Sequence, residues 1–212
     1  MTQPLEKSAE HETRASIRKI VSAKRKALTS VFQEESAEAL LLRLQNNTIV
    51  QKAEYIALYL AVNGELNLEP FIQWCWQQKK QVYLPIVHPF SKGNLLFLAY
   101  EPDSTMINNR YNIKEPKLDV RHIKPVQQLD IILTPLVAFD SKGERIGMGG
   151  GYYDRTLANW YEYYTQDNHC SPAIIGIAHD CQQIETVPHE AWDIPLPTII
   201  TPTRTLNCNL SR

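Results

Sequence analysis

The sequence predicts an α/β fold in which a mostly parallel sheet is covered by helices on both faces and preceded by an N-terminal helical pair. Two observations support this prediction. Short, β-favouring apolar segments alternate with longer segments whose apolar residues recur at helical spacing. A glycine-rich loop at 147–151 follows the apolar segment 131–139 and precedes a helical pattern. A length of 212 residues is enough to bury a core, and we expect a single domain over 1–212.

The N-terminal part of the chain predicts two helices and a strand. Apolar residues recur every three or four positions over 8–28 and again over 32–44, which is the helical pattern. The apolar run at 55–62 predicts a buried strand, and Asn63 with Gly64 ends it in a turn. The chain therefore opens with two helices that lead into the sheet.

The remaining elements continue the alternation of strands and helices. In chain order they are a helix at 68–80, strands at 82–87 and 94–100, a strand at 131–137, a helix at 152–164 and a strand at 173–178. The proline-rich tail beyond residue 187 is expected to wrap an edge of the sheet.

Composition excludes several classes of protein. The formal charge of −1 and the absence of a basic stripe argue against a general nucleic-acid-binding protein. No segment has the apolar character of a signal peptide or a membrane span, and the four cysteines lack the spacing of a zinc site. We therefore expect a cytoplasmic monomer whose partners are small molecules, with neither nucleic acid nor a membrane among them.

The glycine loop is the strongest functional signal. Four of the eight glycines lie between 147 and 151, where a strand leads into a helix, and this geometry directs backbone N–H groups and a helix dipole at an anion. The spacing fits neither GxGxxG, since Tyr152 takes the last glycine's place, nor the GxxxxGK[ST] loop. The flanking Arg145 and Asp154 suggest a phosphate and a metal ion. The alternatives are a merely tight connection and, for Asp154, a first-turn acid that complements the dipole.

Two further groups of residues are candidates on position alone. Arg14, Arg18 and Arg25 share one face of the first predicted helix and form a basic ridge, for which the alternative is a solvated helix face. Glu65 follows the first strand at its carboxyl end, where open α/β sheets bind ligands, although most loop glutamates are simply exposed.

The sequences LTPLVAFD at 133–140 and RIGMGGGYYDR at 145–155 resemble the signature of the 5-formyltetrahydrofolate cyclo-ligases, also called methenyltetrahydrofolate synthetases. Weaker matches span nearly the whole chain. The resemblance implies a Rossmann-like three-layer α/β/α sandwich and an ATP- and Mg²⁺-dependent cyclisation of 5-formyltetrahydrofolate to 5,10-methenyltetrahydrofolate, with release of ADP and phosphate.

The resemblance also implies roles for individual residues. Expected ATP-binding residues are Arg14, Arg18, Arg145, Gly147, Met148, Gly149, Gly150, Gly151, Tyr152 and Tyr153. Expected folate-binding residues are Leu60, Glu65, Tyr111, Met148, Gly149, Gly150, Gly151 and Tyr152. The resemblance implies catalytic roles for Arg145 and Tyr152, and it implies that Asp154 and Asp193 bind Mg²⁺.

Two of these assignments come from shorter segments. The segment RYNIKEP at 110–116 resembles one that helps to enclose the substrate, and it carries Asn112 where glycine is typical. Asparagine tolerates a left-handed φ better than most residues, so the turn can persist. The segment HEAWDIPL at 189–196 supplies Asp193. The sequence does not decide whether His179, His189 and Arg204 belong to the site.

The resemblance implies a mechanism in which the formyl oxygen attacks the γ-phosphate of ATP, N10 then closes the ring, and phosphate departs. Such a reaction requires positioning and charge neutralisation more than a nucleophilic side chain. Two alternatives remain open at the level of sequence: a relative of sugar-phosphate isomerases or CoA-transferases, and a nucleotide- or folate-binding protein without catalysis.

Overall fold

The computed structural model describes residues 13–167, 172–208 and 210. Within them the α-helices are α1 (Arg14–Lys26), α2 (Ser30–Gln45), α3 (Thr48–Lys52), α4 (Glu69–Gln77) and α5 (Tyr152–Asp167). The strands are β1 (Tyr55–Ala57), β2 (Gln81–Val87), β3 (Leu95–Ala99), β4 (Met106–Asn108), β5 (Lys114–Pro116), β6 (Ile123–Lys124), β7 (Ile131–Pro135), β8 (Ala138–Phe139), β9 (Arg145–Ile146), β10 (Ala173–Ile177), β11 (Thr198–Ile200) and β12 (Thr205–Asn207).

The central sheet of the described chain has eight strands in the order β12-β11-β10-β7-β1-β2-β3-β6. The five strands from β11 to β2 are parallel to one another. The outer strands β12, β3 and β6 pair antiparallel with their neighbours. The prediction of a mostly parallel sheet is therefore confirmed, and the carboxyl ends of its central strands meet along one edge.

Helices cover both faces of the sheet. Strand β7 shows why, since Ile131 and Leu133 belong to the apolar core beneath α2 and α4, whereas Ile132 belongs to the core beneath α5. Successive strand residues point to opposite faces, so a strand that is apolar throughout must be covered twice. Ile17 and Val21 of α1 pack in a third, smaller cluster with residues around the β8–β9 hairpin.

The predicted strand at 55–62 is too long. Strand β1 ends at Ala57, and the chain then leaves the sheet, although the Leu58 amide still donates to the Tyr83 carbonyl at 3.0 Å. Residues 58–60 are nonetheless buried or half-buried, because Leu58 belongs to the apolar core and Tyr59 and Leu60 line the pocket described below. An apolar run indicates that a segment is buried, but it does not by itself distinguish a strand from another buried segment.

Further parts of the fold differ from the sequence prediction. Two small hairpins, β4–β5 and β8–β9, lie outside the central sheet and were not predicted. The proline-rich tail does more than wrap an edge, because β11 and β12 extend the sheet there. The predicted first helix corresponds to α1, and its residues 8–12 lie outside the described part of the chain.

None of the described helices combines the length and apolar character needed to cross a bilayer.

Candidate active site

The glycine loop is held by a hairpin whose turn is organised by Asp140. One carboxylate oxygen of Asp140 accepts hydrogen bonds from the amides of Lys142 (2.9 Å) and Glu144 (3.1 Å), and the other accepts one from the Val187 amide at 3.0 Å. These bonds fix the β8–β9 hairpin, and β9 places Arg145 directly before the loop. The sequence prediction of a strand, a glycine loop and a helix is correct, but the strand that enters the loop is this short one.

Three of the loop glycines are required by the backbone or by close contact. Gly149 and Gly151 have φ values of +100° and +61°, a region that residues with a Cβ rarely adopt. A Cβ on Gly150 would lie 2.7 Å from the ring of Tyr152. The loop therefore has its present path because these positions carry no side chain, and it leads into the first turn of α5.

The loop separates two pockets of different character. The first, called here the apolar pocket, lies at the carboxyl ends of the parallel strands, and its walls include Leu60, Leu84, Val87, Pro135 and Leu136. The second, called here the charged pocket, lies between α1 and the start of α5, and its walls include Arg14, Arg18, Arg155, Glu190 and Asp193. Both pockets share Gly147, Gly150, Gly151 and Asp154, so the loop is their common wall.

Two arginine–carboxylate pairs line the pockets, one at the common wall and one in the charged pocket. Arg145, which is 4% exposed, donates from Nη2 to Oδ1 of Asp154 at 2.6 Å. Arg14 forms two bonds to Asp193, one of them from Nη2 to Oδ1 at 3.1 Å. Burial acts to raise the pKa of Asp193, but the bonds from Arg14 and from the Glu190 amide hold that pKa below its usual value. Asp193 is thus kept ionised beside an arginine.

Arg18 approaches the glycine loop from α1. Its Nε donates to the Gly147 carbonyl at 2.8 Å, which directs the rest of the guanidinium along the wall of the charged pocket. Burial and the neighbouring charge of Arg14 lower the pKa of Arg18. Two guanidinium groups held close together favour an anionic ligand, which would relieve their mutual repulsion.

Glu65 lies in the inner wall of the apolar pocket and is 6% exposed. Its Oε2 accepts a hydrogen bond from the Val62 amide at 3.1 Å. Burial raises the pKa of Glu65, while the Val62 amide and Arg25 oppose that rise. A carboxylate at the base of an apolar pocket is a directional acceptor for N–H groups of a flat ligand.

The β4–β5 hairpin forms the mouth of the apolar pocket. The hydroxyl groups of Tyr111 and Tyr152 are 2.7 Å apart, and Arg110 donates to the Tyr152 hydroxyl. The bond with Tyr111 lowers the pKa of Tyr152 and raises that of Tyr111. Asn112 has a φ of +58°, so asparagine does adopt the left-handed turn here. The hairpin tip is thereby tied to the first residue of α5.

The structure brings most of the predicted site residues to these two pockets. Arg14, Arg18, Gly149 and Asp193 line the charged pocket. The predicted folate residues Leu60, Glu65 and Tyr111 line the apolar pocket. So do four residues predicted to bind ATP, namely Arg145, Met148, Tyr152 and Tyr153. His179, His189 and Arg204 do not belong to the lining of either pocket.

The sequence interpretation of Arg25 as part of an exposed basic ridge is wrong. Its side chain is 2% exposed and donates to backbone carbonyls of Asn63 (3.1 Å) and Leu136 (3.4 Å). Arg25 lies four residues after Val21 and eight after Ile17, so it is on their buried side of α1. The polar side chain of Arg25 predicted exposure to solvent. In the structure the carbonyl groups of Asn63 and Leu136 accept its hydrogen bonds and allow it to be buried.

Several residues of the pockets were not assigned from the sequence. Arg155 donates from Nε to the Gly93 carbonyl at 3.0 Å and also to the Gly150 carbonyl, so it holds the outer side of the loop. Trp192 is 70% exposed and, with Glu190, lines the charged pocket. Arg155 is the last residue of the motif at 145–155, and Trp192 directly precedes Asp193. Their closeness in sequence to predicted site residues was the signal that could have identified them.

The donor set of the charged pocket is compatible with Mg²⁺. Asp154 and Asp193 line the same pocket, and Mg²⁺ usually takes one or two protein carboxylates and completes its octahedron with phosphate oxygens and water. Among the described residues, no group of three or more His, Cys, Asp or Glu side chains is arranged to hold a metal without such help. The two aspartates therefore suit a cation that arrives with a phosphate ligand.

Comparisons with known proteins agree with this geometry. The model of the 5-formyltetrahydrofolate cyclo-ligase family matches residues 10–202. The chain is 48% identical over 185 residues to the 5-formyltetrahydrofolate cyclo-ligase of Escherichia coli K12, covering 87% of this chain and 98% of that protein. It is 46% identical over 189 residues to the enzyme of the same name from Haemophilus influenzae, covering 89% and 95%. The solved structure of Aquifex aeolicus 5,10-methenyltetrahydrofolate synthetase superposes with a TM-score of 0.77 at 26% identity, covering 94% of each chain.

Proposed function

The chain belongs to the 5-formyltetrahydrofolate cyclo-ligase family, and from this premise we propose that its two pockets bring a folate and ATP together at the glycine loop. The enzyme is an ATP-dependent ligase that closes 5-formyltetrahydrofolate to 5,10-methenyltetrahydrofolate, with release of ADP and phosphate. The observation that carries the proposal is the common wall, since a pocket suited to a flat ring and a pocket suited to phosphates meet along it.

The apolar pocket takes the folate in this proposal. Leu60 and its apolar neighbours cover the pterin faces, and Glu65 accepts hydrogen bonds from pterin N–H groups. Tyr111 and Tyr152 close the mouth. The formyl group on N5 then points at the glycine loop, where Gly150 and Gly151 leave room for a close approach.

The charged pocket takes the ATP phosphates. Arg14 and Arg18 neutralise their charge, and the amides at the start of α5 offer donors that have no partner earlier in the helix. The loop residues Gly147, Met148, Gly149, Gly150, Gly151, Tyr152 and Tyr153 bring the γ-phosphate to the formyl oxygen. Transfer of a phosphoryl group depends mainly on such positioning and on electrostatic stabilisation.

The reaction then proceeds in two steps. The formyl oxygen attacks the γ-phosphorus, the bond to the β-phosphate oxygen breaks, and ADP leaves with those electrons. N10 next attacks the activated formyl carbon and loses its proton, and the carbon–oxygen bond breaks as inorganic phosphate departs. Arg145, buried beside Asp154 at the common wall, stabilises the charge that develops on the transferred group, and Tyr152 orients the substrate.

Asp154 and Asp193 would hold Mg²⁺, which supplies charge neutralisation for the phosphates when it is bound. Arg14 now pairs with Asp193, and a phosphate oxygen offers the same guanidinium an equivalent partner. We also propose that the protein acts as a cytoplasmic monomer on these small molecules alone. Gel filtration of the purified protein tests the oligomeric state.

The deciding experiment mixes the purified protein with 5-formyltetrahydrofolate and follows the near-ultraviolet absorbance of the methenyl product. We expect product only when ATP and Mg²⁺ are both present, and loss of turnover on adding a chelator. Absence of ATP-dependent product would reject the catalytic proposal. Thermal stabilisation by ATP or folate without turnover would identify a binding protein instead, since a ligand selective for the native state raises its stability.

A further inference from the structure

Arg25 lies behind the inner wall of the apolar pocket, and the reaction as described gives it no task. Its guanidinium donates hydrogen bonds to the carbonyls of Asn63 and Leu136, and Leu136 lines that pocket. Asn63 and Gly64 form a turn in which both residues have positive φ, and this turn carries Glu65. Arg25 thus connects α1 to the segment that positions the proposed pterin ligand.

The geometry between Arg25 and Glu65 is that of an ion pair without a hydrogen bond. Nη1 of Arg25 is 3.9 Å from Oε1 of Glu65, which is too long for a hydrogen bond but short enough for strong attraction at a buried site. Oε2 is taken by the Val62 amide. Within the described residues no hydrogen bond reaches Oε1, so this oxygen retains its full capacity to accept from a ligand.

The other titratable groups near this pair do not supply a positive charge. Tyr59 and Tyr153 interact with Glu65, and burial raises the pKa of both phenols, so they stay neutral. Burial, together with the charge of Arg25, lowers the pKa of His179 to about 4, so this imidazole is also neutral near pH 7. Among the described residues, Arg25 is the cation that acts on Glu65.

We propose that Arg25 is a positioning residue for folate recognition, which keeps Glu65 as a carboxylate in the apolar pocket without occupying the oxygen that the substrate uses. The inference rests on the proposed function of Glu65 as the pterin ligand. A neutral Glu65 would be a weaker acceptor and would hold a proton where the substrate presents its own N–H groups.

The expected effect of removing Arg25 follows from the direction of the pKa shift. Burial already raises the pKa of Glu65, and Arg25 opposes that rise. Without Arg25 the carboxyl keeps its proton to a higher pH, so folate affinity falls near neutrality and recovers as the pH rises through the new pKa. A purely structural role would weaken binding by a similar factor at every pH.

The test measures affinity for 5-formyltetrahydrofolate by calorimetry from about pH 5.5 to about pH 9, which requires no turnover. We expect Arg25→Gln to weaken binding at least about tenfold at neutral pH and much less at high pH, the signature of a titrating carboxyl. Affinity for ATP should be unchanged. Arg25→Lys, which keeps the charge, should retain the wild-type pH profile, and Lys24→Met, which removes an exposed charge one position away on α1, should change neither affinity.

Glu65→Gln separates the inference from the function it rests on. Its affinity should be low and independent of pH, and adding Arg25→Gln should cause little further loss, since the two changes act on one interaction. No effect of Glu65→Gln on folate binding would reject Glu65 as the ligand. A strong effect of Glu65→Gln with a wild-type pH profile for Arg25→Gln would overturn the inference about Arg25 alone.

The wild-type protein provides a second test if Arg25→Gln does not fold. With Glu65 held as a carboxylate, wild-type affinity should show no inflection above about pH 6 that depends on Glu65. An inflection between about pH 6 and about pH 8 that Glu65→Gln abolishes would mean that Arg25 does not keep the carboxylate charged, and it would overturn the proposal.

Discussion

The apolar pocket and the charged pocket share one wall but are built from different parts of the fold. The apolar pocket lies at the carboxyl ends of parallel strands and takes its side chains from strand ends and a hairpin tip. The charged pocket lies between the first turns of α1 and α5 and takes arginines and aspartates from helix ends and a loop. In the proposed function, sheet edges would supply the surface for a ring, and helix starts would supply charge and backbone amides for phosphates.

The difference explains why three of the four residues of the common wall are glycines. Two ligands that must react have to approach within van der Waals distance, so the stretch of wall between their reacting groups cannot carry side chains. Gly150 satisfies this condition, because it lines both pockets and carries no side chain. A Cβ at this position would lie 2.7 Å from the ring of Tyr152. Substitutions on either side of the wall should therefore affect one ligand, and substitutions that displace the wall should affect both.

Asp154→Asn should have the largest effect, because Asp154 lines both pockets and pairs with the buried Arg145. We expect kcat to fall about 100- to 1000-fold, because the change removes a proposed Mg²⁺ ligand and the partner of Arg145, the groups that neutralise charge on the transferred phosphoryl group. Turnover and thermal unfolding should be measured on the same preparation. A variant that loses stability but keeps most of its kcat would reduce Asp154 to a structural partner of Arg145.

Arg18→Met should affect the charged pocket alone. Arg18 is held by its hydrogen bond to the Gly147 carbonyl, and it lines the charged pocket but not the apolar pocket. We expect KM for ATP to rise about 10- to 100-fold, since a hydrogen bond to a charged group contributes about 1.5–3 kcal/mol. KM for 5-formyltetrahydrofolate should stay within about twofold. Equal changes in both KM values would contradict the division of ligands between the pockets.

Gly150→Ala tests the common wall with a matched control in the same loop. The new Cβ would lie 2.7 Å from the Tyr152 ring, whereas a Cβ on Gly147 would meet only Nη1 of Arg145, at 3.9 Å. Overpacking of this kind costs about 1–3 kcal/mol, so we expect kcat/KM for both substrates to fall about tenfold. Gly147→Ala should change them by less than about threefold. A selective loss for one substrate would show that Gly150 serves one pocket only.

The parts of the fold that local pattern controls were predictable from the sequence. The parallel strands β2, β7 and β10 and the helix α5 appear where apolar periodicity placed them. The early end of β1 and the small β8–β9 hairpin were not predictable, because they depend on tertiary contacts. Asp140, for example, fixes its hairpin partly through a bond to Val187, which is distant in sequence.

The candidate site was predictable to the extent that it lies in contiguous motifs. The glycine loop gave Arg145 and Asp154, and the loop after β1 gave Glu65. The side on which each residue lies was not predictable, as Tyr153, expected at the nucleotide, lines the apolar pocket. Arg25 was misplaced because its partners are backbone carbonyls, which leave no trace in the identity of the residues that carry them.

Tyr111→Phe should have the smallest effect and should concern the apolar pocket alone. The change removes the hydroxyl contact with Tyr152 at 2.7 Å but keeps the ring over the mouth. Tyr111 is 52% exposed, so the lost hydrogen bond is largely replaced by water, and we expect KM for 5-formyltetrahydrofolate to rise only about two- to fivefold. KM for ATP should not change. Tyr163→Phe, an equally conservative change at an exposed tyrosine of α5 outside both pockets, is the control.

The result also decides what the hairpin tip contributes. If Tyr111→Phe raises KM for the folate and Tyr111→Ala raises it much further, the ring covers the ligand and the hydroxyl only closes the mouth. If Tyr111→Phe lowers kcat without changing KM, the contact with Tyr152 acts on the start of α5, and through it on the common wall. In that case the mouth of the apolar pocket would be coupled to the phosphate side, and the two pockets would be less independent than their linings indicate.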